Sequence, residues 1–459
     1  MAHVFNPTVL REYDIRGIVG ETLGEADAYA LGRTFSALAR DEGASKIAVG
    51  RDGRTHSPML EAELIRGLRE GGLDVVQIGM GPSPMLYFAT YYLDVDGGIQ
   101  VTGSHNPANY NGFKLLLKGA SVFGERIQAI GDRSARGDWV SGEGTIEEVD
   151  IREAYANRLL EGFSGKAFRI GWDAGNGAAG PILDMLVERL PGQHFAIHTD
   201  VDGTFPNHHP DPTVEKNLAD LQGLVTGKEL DFGIAFDGDG DRIGAVDGKG
   251  RAIWGDQLLA ILAEPVLKDE PGATIIADVK ASQVLFDRVA QLGGRPLMWK
   301  TGHSLIKSKM KETGAPLAGE MSGHVFFRHR WYGFDDALYA AIRLIEAVSA
   351  TGRNLTEIMD LMPKTKATPE MRFQVEESRK FRIVEEVRDR LFELGAKVDD
   401  TDGVRVSTID GWWLLRASNT QDVLVARAEA MDEAGLERLV AEVDDQLAKS
   451  GIARTEAVH

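Results

Sequence analysis

The segment FDGDGDR at 236–242 concentrates three carboxylates in a very short stretch. Asp237, Asp239 and Asp241 alternate with glycines, so an extended backbone would throw all three to one side. Like charges that close repel unless a cation neutralises them, and oxygen-only ligands select Mg²⁺ or Ca²⁺. An EF-hand loop is excluded, because Arg242 stands where its sixth position needs glycine and Gly248 where its twelfth needs glutamate. A solvated Asp-Gly turn is the competing reading; a metal site with Arg242 beside it is preferred.

A second segment, VTGSHNPANYNGFK at 101–114, runs from an apolar strand into a tight loop. Ser104, between Gly103 and His105, would be exposed there as a nucleophile or phosphate carrier. A loop serine alone usually caps or is solvated. Lys114 and the metal loop shift that balance. EYDIRG at 12–17 offers Tyr13 and Arg16, and from this hexapeptide alone Arg16 reads as a surface ion-pair partner. KTGHS at 300–304 and GEMSGH at 319–324 combine glycines for close backbone approach with Thr301, Gly302, His303, Glu320, Ser322 and His324. Glutamate and serine two apart suit adjacent sugar hydroxyls. RASNTQDVLVAR at 416–427 supplies Arg416, Ser418, Asn419, Thr420 and Arg427, the inventory of a phosphate cradle.

The elements that must position these loops read as alternating strands and helices. KIAVG at 46–50 is a strand, Ser57 and Pro58 sit at N-cap and N1 of a helix carrying Leu60, Leu64 and Leu68, and DVVQIG at 74–79 is the next strand. That is a βαβ unit. The scheme recurs at 168–180 and 273–282, each time an apolar strand leading into an aspartate (Asp52, Asp173, Asp278) with a signature loop following downstream. So faint a self-similarity can arise by chance in an α/β protein; taken at face value it gives three related α/β domains offering loops at strand C-termini. After Pro363 the pattern changes. Ile383, Val387 and Leu391 mark a helix, 404–407 and 412–417 a hairpin around Asp410 and Gly411, 422–430 a strand, and Leu436, Val440, Val443 and Leu447 a final helix. This is a small α+β domain. The expected divisions are 1–150, 151–252, 253–366 and 367–459.

Composition narrows the class. The chain has 459 residues, and 51 basic against 70 acidic side chains leave a formal charge of −19, which argues against nucleic acid or an anionic membrane as main partner. With no cysteine, thiolate catalysis and Cys-ligated zinc are out. No apolar run approaches a membrane span and no secretory signal is visible, so a large cytoplasmic enzyme is expected. Any phosphate ligand requires basic residues to be concentrated locally.

Taken together, the loops resemble the α-D-phosphohexomutase superfamily, and most closely its bacterial phosphomannomutase/phosphoglucomutase branch. The resemblance runs from Glu12 to Arg427, with one signature in each of four domains. It implies a heart-shaped structure of three related α/β domains and a C-terminal α+β domain around a central cleft. By position, it implies that Ser104 carries a phosphoryl group. It makes Asp237, Asp239 and Asp241 the Mg²⁺ ligands, completed by a phosphoserine oxygen, with Arg242 adjoining. It further implies that Glu320 and Ser322 bind sugar hydroxyls with His324 beside them, and that Arg416, Ser418, Asn419 and Thr420 grip the non-reacting phosphate. Tyr13, Arg16, His105, Lys114, Lys280 and His303 match cleft-lining residues, some of them proton-transfer candidates. The implied reaction interconverts hexose 1- and 6-phosphates through a 1,6-bisphosphate that turns end for end, the 363–370 linker serving as hinge. Lys114 or Arg16 would need a depressed pKa to take the proton, His303 or His324 little shift.

If Glu320 and Ser322 hold O3 and O4, glucose and mannose are both substrates. Met321 stands where phosphoglucosamine mutases usually carry glutamine, against an amino sugar. Ser83 in Pro82-Ser83-Pro84, where relatives often have threonine, reads as a mild change without catalytic meaning. The alternatives are phosphoglucosamine mutation, a Mg²⁺-dependent phosphatase using Asp237, and a non-catalytic sugar-phosphate sensor. A monomer or weak homo-oligomer is expected.

Overall fold

Three short apolar runs leading into aspartates seed three sheets built to one plan. In the computed structural model, which describes residues 2–419 and 421–453, strand Lys46–Arg51 lies parallel between Gly97–Val101 and Asp74–Met80. Strand Phe168–Asp173 lies parallel between Phe232–Phe236 and Gly192–Ile197. Strand Thr274–Asp278 lies parallel between Leu317–Gly319 and Arg295–Trp299. In every case the strand on one side is followed by an antiparallel return: Tyr110–Leu117, Ile243–Asp247 and Val325–Phe327 respectively. One strand order used three times makes chance resemblance untenable. It also explains why the three signature loops are equivalent, since each joins a parallel strand to its antiparallel return at the strand's C-terminal end.

One local expectation fails. The helix after the first strand spans Ser57–Glu70 with His56 at the N-cap, so Ser57 is inside the helix. Its hydroxyl donates to Asp52 Oδ1 at 2.5 Å, a buried carboxylate that competes successfully for the group a cap would use.

The last domain is a six-stranded antiparallel sheet covered by helices Glu377–Glu393 and Glu433–Lys449. Its hairpin pairs Val404–Ser407 with Gly411–Ala417, the second strand starting one residue before the expected Trp412. The first domain packs mostly around its own apolar core, a second core runs through the second and third domains and reaches into the first, and the fourth domain has a separate one. Between them lies a thin bridge of Val279 against Trp412 and Leu414. Arg405 reinforces it, donating to the carbonyls of Val279 (2.7 Å) and Ala281 (2.8 Å) while lying over the Trp412 ring. Among the described residues no helix is long and apolar enough to cross a membrane.

Candidate active site

The Ser104 loop is held by groups that come mostly from its own domain. Buried Asp52 accepts hydrogen bonds from Thr102 Oγ1 (2.8 Å) and the Gly103 amide (3.1 Å), and Thr102 Oγ1 in turn accepts the Ser104 amide at 2.8 Å. Arg54, wholly buried, donates to the carbonyls of Ser104, Asn106 and Pro107 (each 2.6 Å) and Tyr110 (3.0 Å). These bonds keep Ser104 at φ 48°, a conformation unusual for a side-chain-bearing residue. Its hydroxyl donates to Asp237 Oδ2 at 3.1 Å and lies 3.2 Å from His105 Nδ1.

The aspartate loop converges by a different route from the expected one. It is a turn, with Gly240 at φ 72°, wrapped around the Asp237 carboxylate. Asp237 Oδ1 accepts the amides of Asp241 and Arg242, both at 3.1 Å, so backbone donors rather than strand alternation gather the carboxylates. Gly238 lets this turn meet the Ser104 loop: a Cβ there would stand 2.6 Å from the Ser104 carbonyl oxygen. Asp237, Asp239 and Asp241 are fully buried, with ligand oxygens within 4.8 Å of one another. Asp239 Oδ1 and Asp241 Oδ1 have no hydrogen-bond partner among the described residues. Burial, with Asp239 and Asp241 adding repulsion, pushes the Asp237 carboxyl well above the usual range. A buried oxygen-only set, short of partners and positive charge, fits a hard divalent cation.

Lys114 Nζ partly offsets that charge, donating to Asp239 Oδ2 (2.6 Å) and to Asp241. Burial alone would lower this lysine; the two carboxylates outweigh it and hold it well above its ordinary value. The depressed pKa needed of a basic Lys114 is therefore absent. Burial, with Arg242 and Arg16 adding to it, pushes His105 well down, and burial together with Lys307 does the same for His303. His324 sits between Arg242, whose Nε donates to Nε2 at 3.1 Å, and Asp335, whose Oδ2 is 3.2 Å from Nδ1. Arg16 is not at the surface. It is 7% exposed, bonds Asn106 Oδ1 at 2.5 Å, and pairs with Asp14 inside the cleft.

The loops carrying Glu320 and Arg416 face the same space. Asp278, pushed up to about 6 by burial with Glu320 adding repulsion, accepts the Met321 amide at 3.2 Å, as Asp52 accepts Gly103 in the first repeat. Glu320 Oε1 accepts the Gly302 amide at 2.6 Å. Tyr13 crosses three domains: its hydroxyl donates to the Thr301 carbonyl (2.9 Å) and accepts from Asn419 Nδ2 (2.8 Å). Asp402 accepts both Arg416 Nε and the Thr301 amide at 3.0 Å. Arg427 lines the cleft but spends its guanidinium on the Lys280 carbonyl, a tie between domains. Thr420 lies outside the described residues. The shared cleft has a volume of about 1010 Å³, ample for a hexose bisphosphate, and its lining includes Ser104, Lys280, Glu320, Ser322, Arg416 and Ser418.

Several site residues were missed from sequence. Arg54 follows the strand KIAVG two residues after Asp52, yet nothing local said that it would turn inward. Ser83, dismissed as a mild variation, donates its hydroxyl to Asp239 Oδ2 and its amide to the Asp239 carbonyl at 2.8 Å. Asp335, flanked by Lys307 at 3.0 Å and by His324, carried no motif.

A buried serine loop, a three-aspartate loop and two polar loops, brought by four domains to one cleft, fit a class of phosphoryl-handling α/β proteins. Comparison with known proteins makes the class specific. The descriptions "Phosphoglucomutase/phosphomannomutase, alpha/beta/alpha" domains I, II and III match residues 7–140, 151–250 and 254–365, and that family's C-terminal domain matches 370–446. The chain belongs to the phosphoglucomutase/phosphomannomutase family. It is 46% identical to a phosphomannomutase/phosphoglucomutase of Pseudomonas aeruginosa, covering 96% of this chain and 95% of that one. It is 43% identical to a phosphoglucomutase of Neisseria meningitidis serogroup A, with 94% and 95% covered. A crystal structure of a phosphoglucomutase/phosphomannomutase family protein from Burkholderia thailandensis superposes with a TM-score of 0.93 at 41% identity, covering 98% of both chains.

Proposed function

We propose that this protein interconverts hexose 1-phosphates and hexose 6-phosphates, carrying a phosphoryl group on Ser104. The observation that supports this best is the 3.1 Å contact between Ser104 Oγ and Asp237, in a cleft also lined by Glu320 and Arg416. In the first half-reaction the Ser104 Oγ–P bond breaks while a bond forms between that phosphorus and a free hexose hydroxyl. The hydroxyl proton passes to a base and the serine leaves as an alkoxide equivalent that is reprotonated. After the 1,6-bisphosphate turns end for end, the other phosphate returns to Ser104 by the reverse step.

Asp237, Asp239 and Asp241 would hold Mg²⁺, which when bound supplies positive charge beside the transferring oxygens. The protein's own cations do the remaining electrostatic work: such transfer rests on positioning and charge stabilisation. Lys114, held protonated, is a charge donor rather than the base. His303, neutral at pH 7 and with Nδ1 free of hydrogen bonds, is the better proton acceptor. Arg416, Ser418 and Asn419, with Thr420, would grip the distal phosphate, and Lys280 and Tyr13 would flank the sugar. Glu320 and Ser322, by binding O3 and O4, would leave C2 unread and admit both glucose and mannose. The thin bridge to the fourth domain supports opening about 363–370 for the bisphosphate to turn. We further infer that the chain acts on free hexose phosphates in the cytoplasm, as monomer or weak homo-oligomer, with hexose 1,6-bisphosphate as activator.

The test is purified protein with glucose 1-phosphate or mannose 1-phosphate, Mg²⁺ and a trace of glucose 1,6-bisphosphate. Formation of the 6-phosphates, lost in Ser104→Ala, is expected. Release of inorganic phosphate that survives Ser104→Ala would refute the mutase reading in favour of a phosphatase.

A further inference from the structure

Away from the cleft, the second domain gathers a different ligand set. Asp173 ends one strand, His198 follows the neighbouring strand Gly192–Ile197, and His208 returns from the connection beyond. One ligand atom from each lies within 4.8 Å of the others. His208 Nε2 is 2.9 Å from Asp173 Oδ2, and the two imidazole rings meet edge-on with centroids 5.4 Å apart. The outer contacts are equally specific. His208 Nδ1 faces the His209 carbonyl at 3.0 Å, and His198 Nε2 faces Asp220 Oδ2 at 3.0 Å. His198 thus turns one nitrogen to an oxygen acceptor and leaves the other for a cation, whereas His208 anchors Nδ1 on a carbonyl and aims Nε2 at the Asp173 carboxylate, a contact whose proton a cation would displace. Asp173 is itself anchored, Oδ1 accepting the Gly175 amide at 2.9 Å.

We propose that Asp173, His198 and His208 form a second metal site, separate from the aspartate trio, for a borderline divalent cation such as Zn²⁺. Two imidazoles and one carboxylate are a nitrogen-rich set that Mg²⁺ disfavours and Zn²⁺ accepts, with water in the fourth position. Tetrahedral zinc holds its ligand atoms about 3.3 Å apart, so from a separation within 4.8 Å His198 needs to move by no more than about 1.5 Å. The consequence is mechanical. The segment carrying His208 continues directly into Pro210, whose carbonyl accepts the Gly238 amide at 3.2 Å, and into Asp211 in the cleft. Phe205 of the same segment lies under the Arg54 guanidinium, 5.1 Å from its ring centroid. A metal here would staple the strand ends of the second domain to the support of the Ser104 and aspartate loops.

Equilibrium dialysis of the full chain against Zn²⁺, with Mg²⁺ in excess to occupy the aspartate trio, tests this. About one zinc per chain is expected in wild type and in Asp237→Asn, falling to about none in His198→Ala and His208→Gln. Zinc retained by the histidine variants, or lost in Asp237→Asn, overturns the proposal. Should those variants fail to fold, Co²⁺ added to wild type in excess Mg²⁺ decides it. Intense visible absorption from low-coordinate nitrogen ligation supports the site, and weak bands alone refute it.

Discussion

Arg54 makes no contact that its position in the sequence advertises, yet the structure gives it the task of holding the reacting loop. Its side chain is 0% exposed, paired with Asp52 at 3.2 Å, and it covers four carbonyls between Ser104 and Tyr110. Arg54→Met removes every donor while keeping most of the volume. Breaking a buried ion pair costs about 3–5 kcal/mol, and each orphaned carbonyl adds about 1 kcal/mol or more. Taking only the low figure, local opening becomes easier by about 3 kcal/mol, or about a hundredfold. Hydrogen exchange on peptides covering 103–111 should accelerate by that factor. The turnover rate should collapse while KM changes little, because Glu320 and Arg416 sit on other domains. Arg54→Lys should fall between, since a compact ammonium with three donors cannot span four carbonyls. Exchange within threefold of wild type, with turnover intact in Arg54→Met, would show that the loop holds itself and refute the argument.

Gly238→Ala would press a Cβ to 2.6 Å from the Ser104 carbonyl, so the two reacting loops must part; turnover should drop roughly tenfold to a hundredfold with unchanged circular dichroism, and an unaltered rate sinks this. Lys114→Met leaves the buried Asp239 and Asp241 without their ammonium; metal-free protein should lose about 3 kcal/mol of stability and gain more from added Mg²⁺ than wild type does, both read by thermal melting. EDTA should abolish activity and Mg²⁺ restore it; activity surviving exhaustive chelation removes the metal from the reaction. Asp336, pushed up to about 7 by burial, holds a proton in the folded state that it loses near 3.8 when unfolded. Between those values the native state binds more protons, so this group's contribution to stability is full below about 4 and is lost as pH rises through about 7. Asp336→Asn keeps an acceptor for the Tyr339 amide and should flatten that decline; an identical pH–stability profile counts against the shift.

What could be read from sequence was whatever chemistry is written locally. FDGDGDR marks a candidate metal loop because glycine and charge cluster within a turn, TGSHNP stands out only beside it, and the fourfold division was legible because apolar runs and aspartates recur three times before the pattern changes. Other features depended on distance. Ser83 and Asp239 are 156 residues apart, and Tyr13 and Asn419 are 406 apart. No spacing rule reports such pairs, so Ser83 passed as a neutral variation and Arg16 as a surface residue. The aspartate turn failed for a subtler reason. Alternation with glycine fits both an extended strand and a turn, and only the amides of Asp241 and Arg242, aimed at Asp237, decide between them.

The three repeats also explain how a strongly acidic chain can build a cleft for phosphates. At equivalent positions Asp52 and Asp278 accept an amide of the neighbouring signature loop, Gly103 in one case and Met321 in the other. Their negative charge is therefore spent inside the framework, behind the loops. Arg54 extends the same logic, its charge absorbed by backbone carbonyls that would otherwise face inward unpaired. Facing the cleft, Arg16, Lys114, Arg242, Lys280 and Arg416 come from all four domains. If the fourth domain opens as proposed, cations gathered from separate domains would spread apart, and the grip on a doubly phosphorylated intermediate would loosen. Were the same charges confined to one domain, opening would leave the bisphosphate bound and its reorientation slow. On the proposed mechanism, the distribution of cations, rather than their number, would let one cleft hold the intermediate and still let it turn.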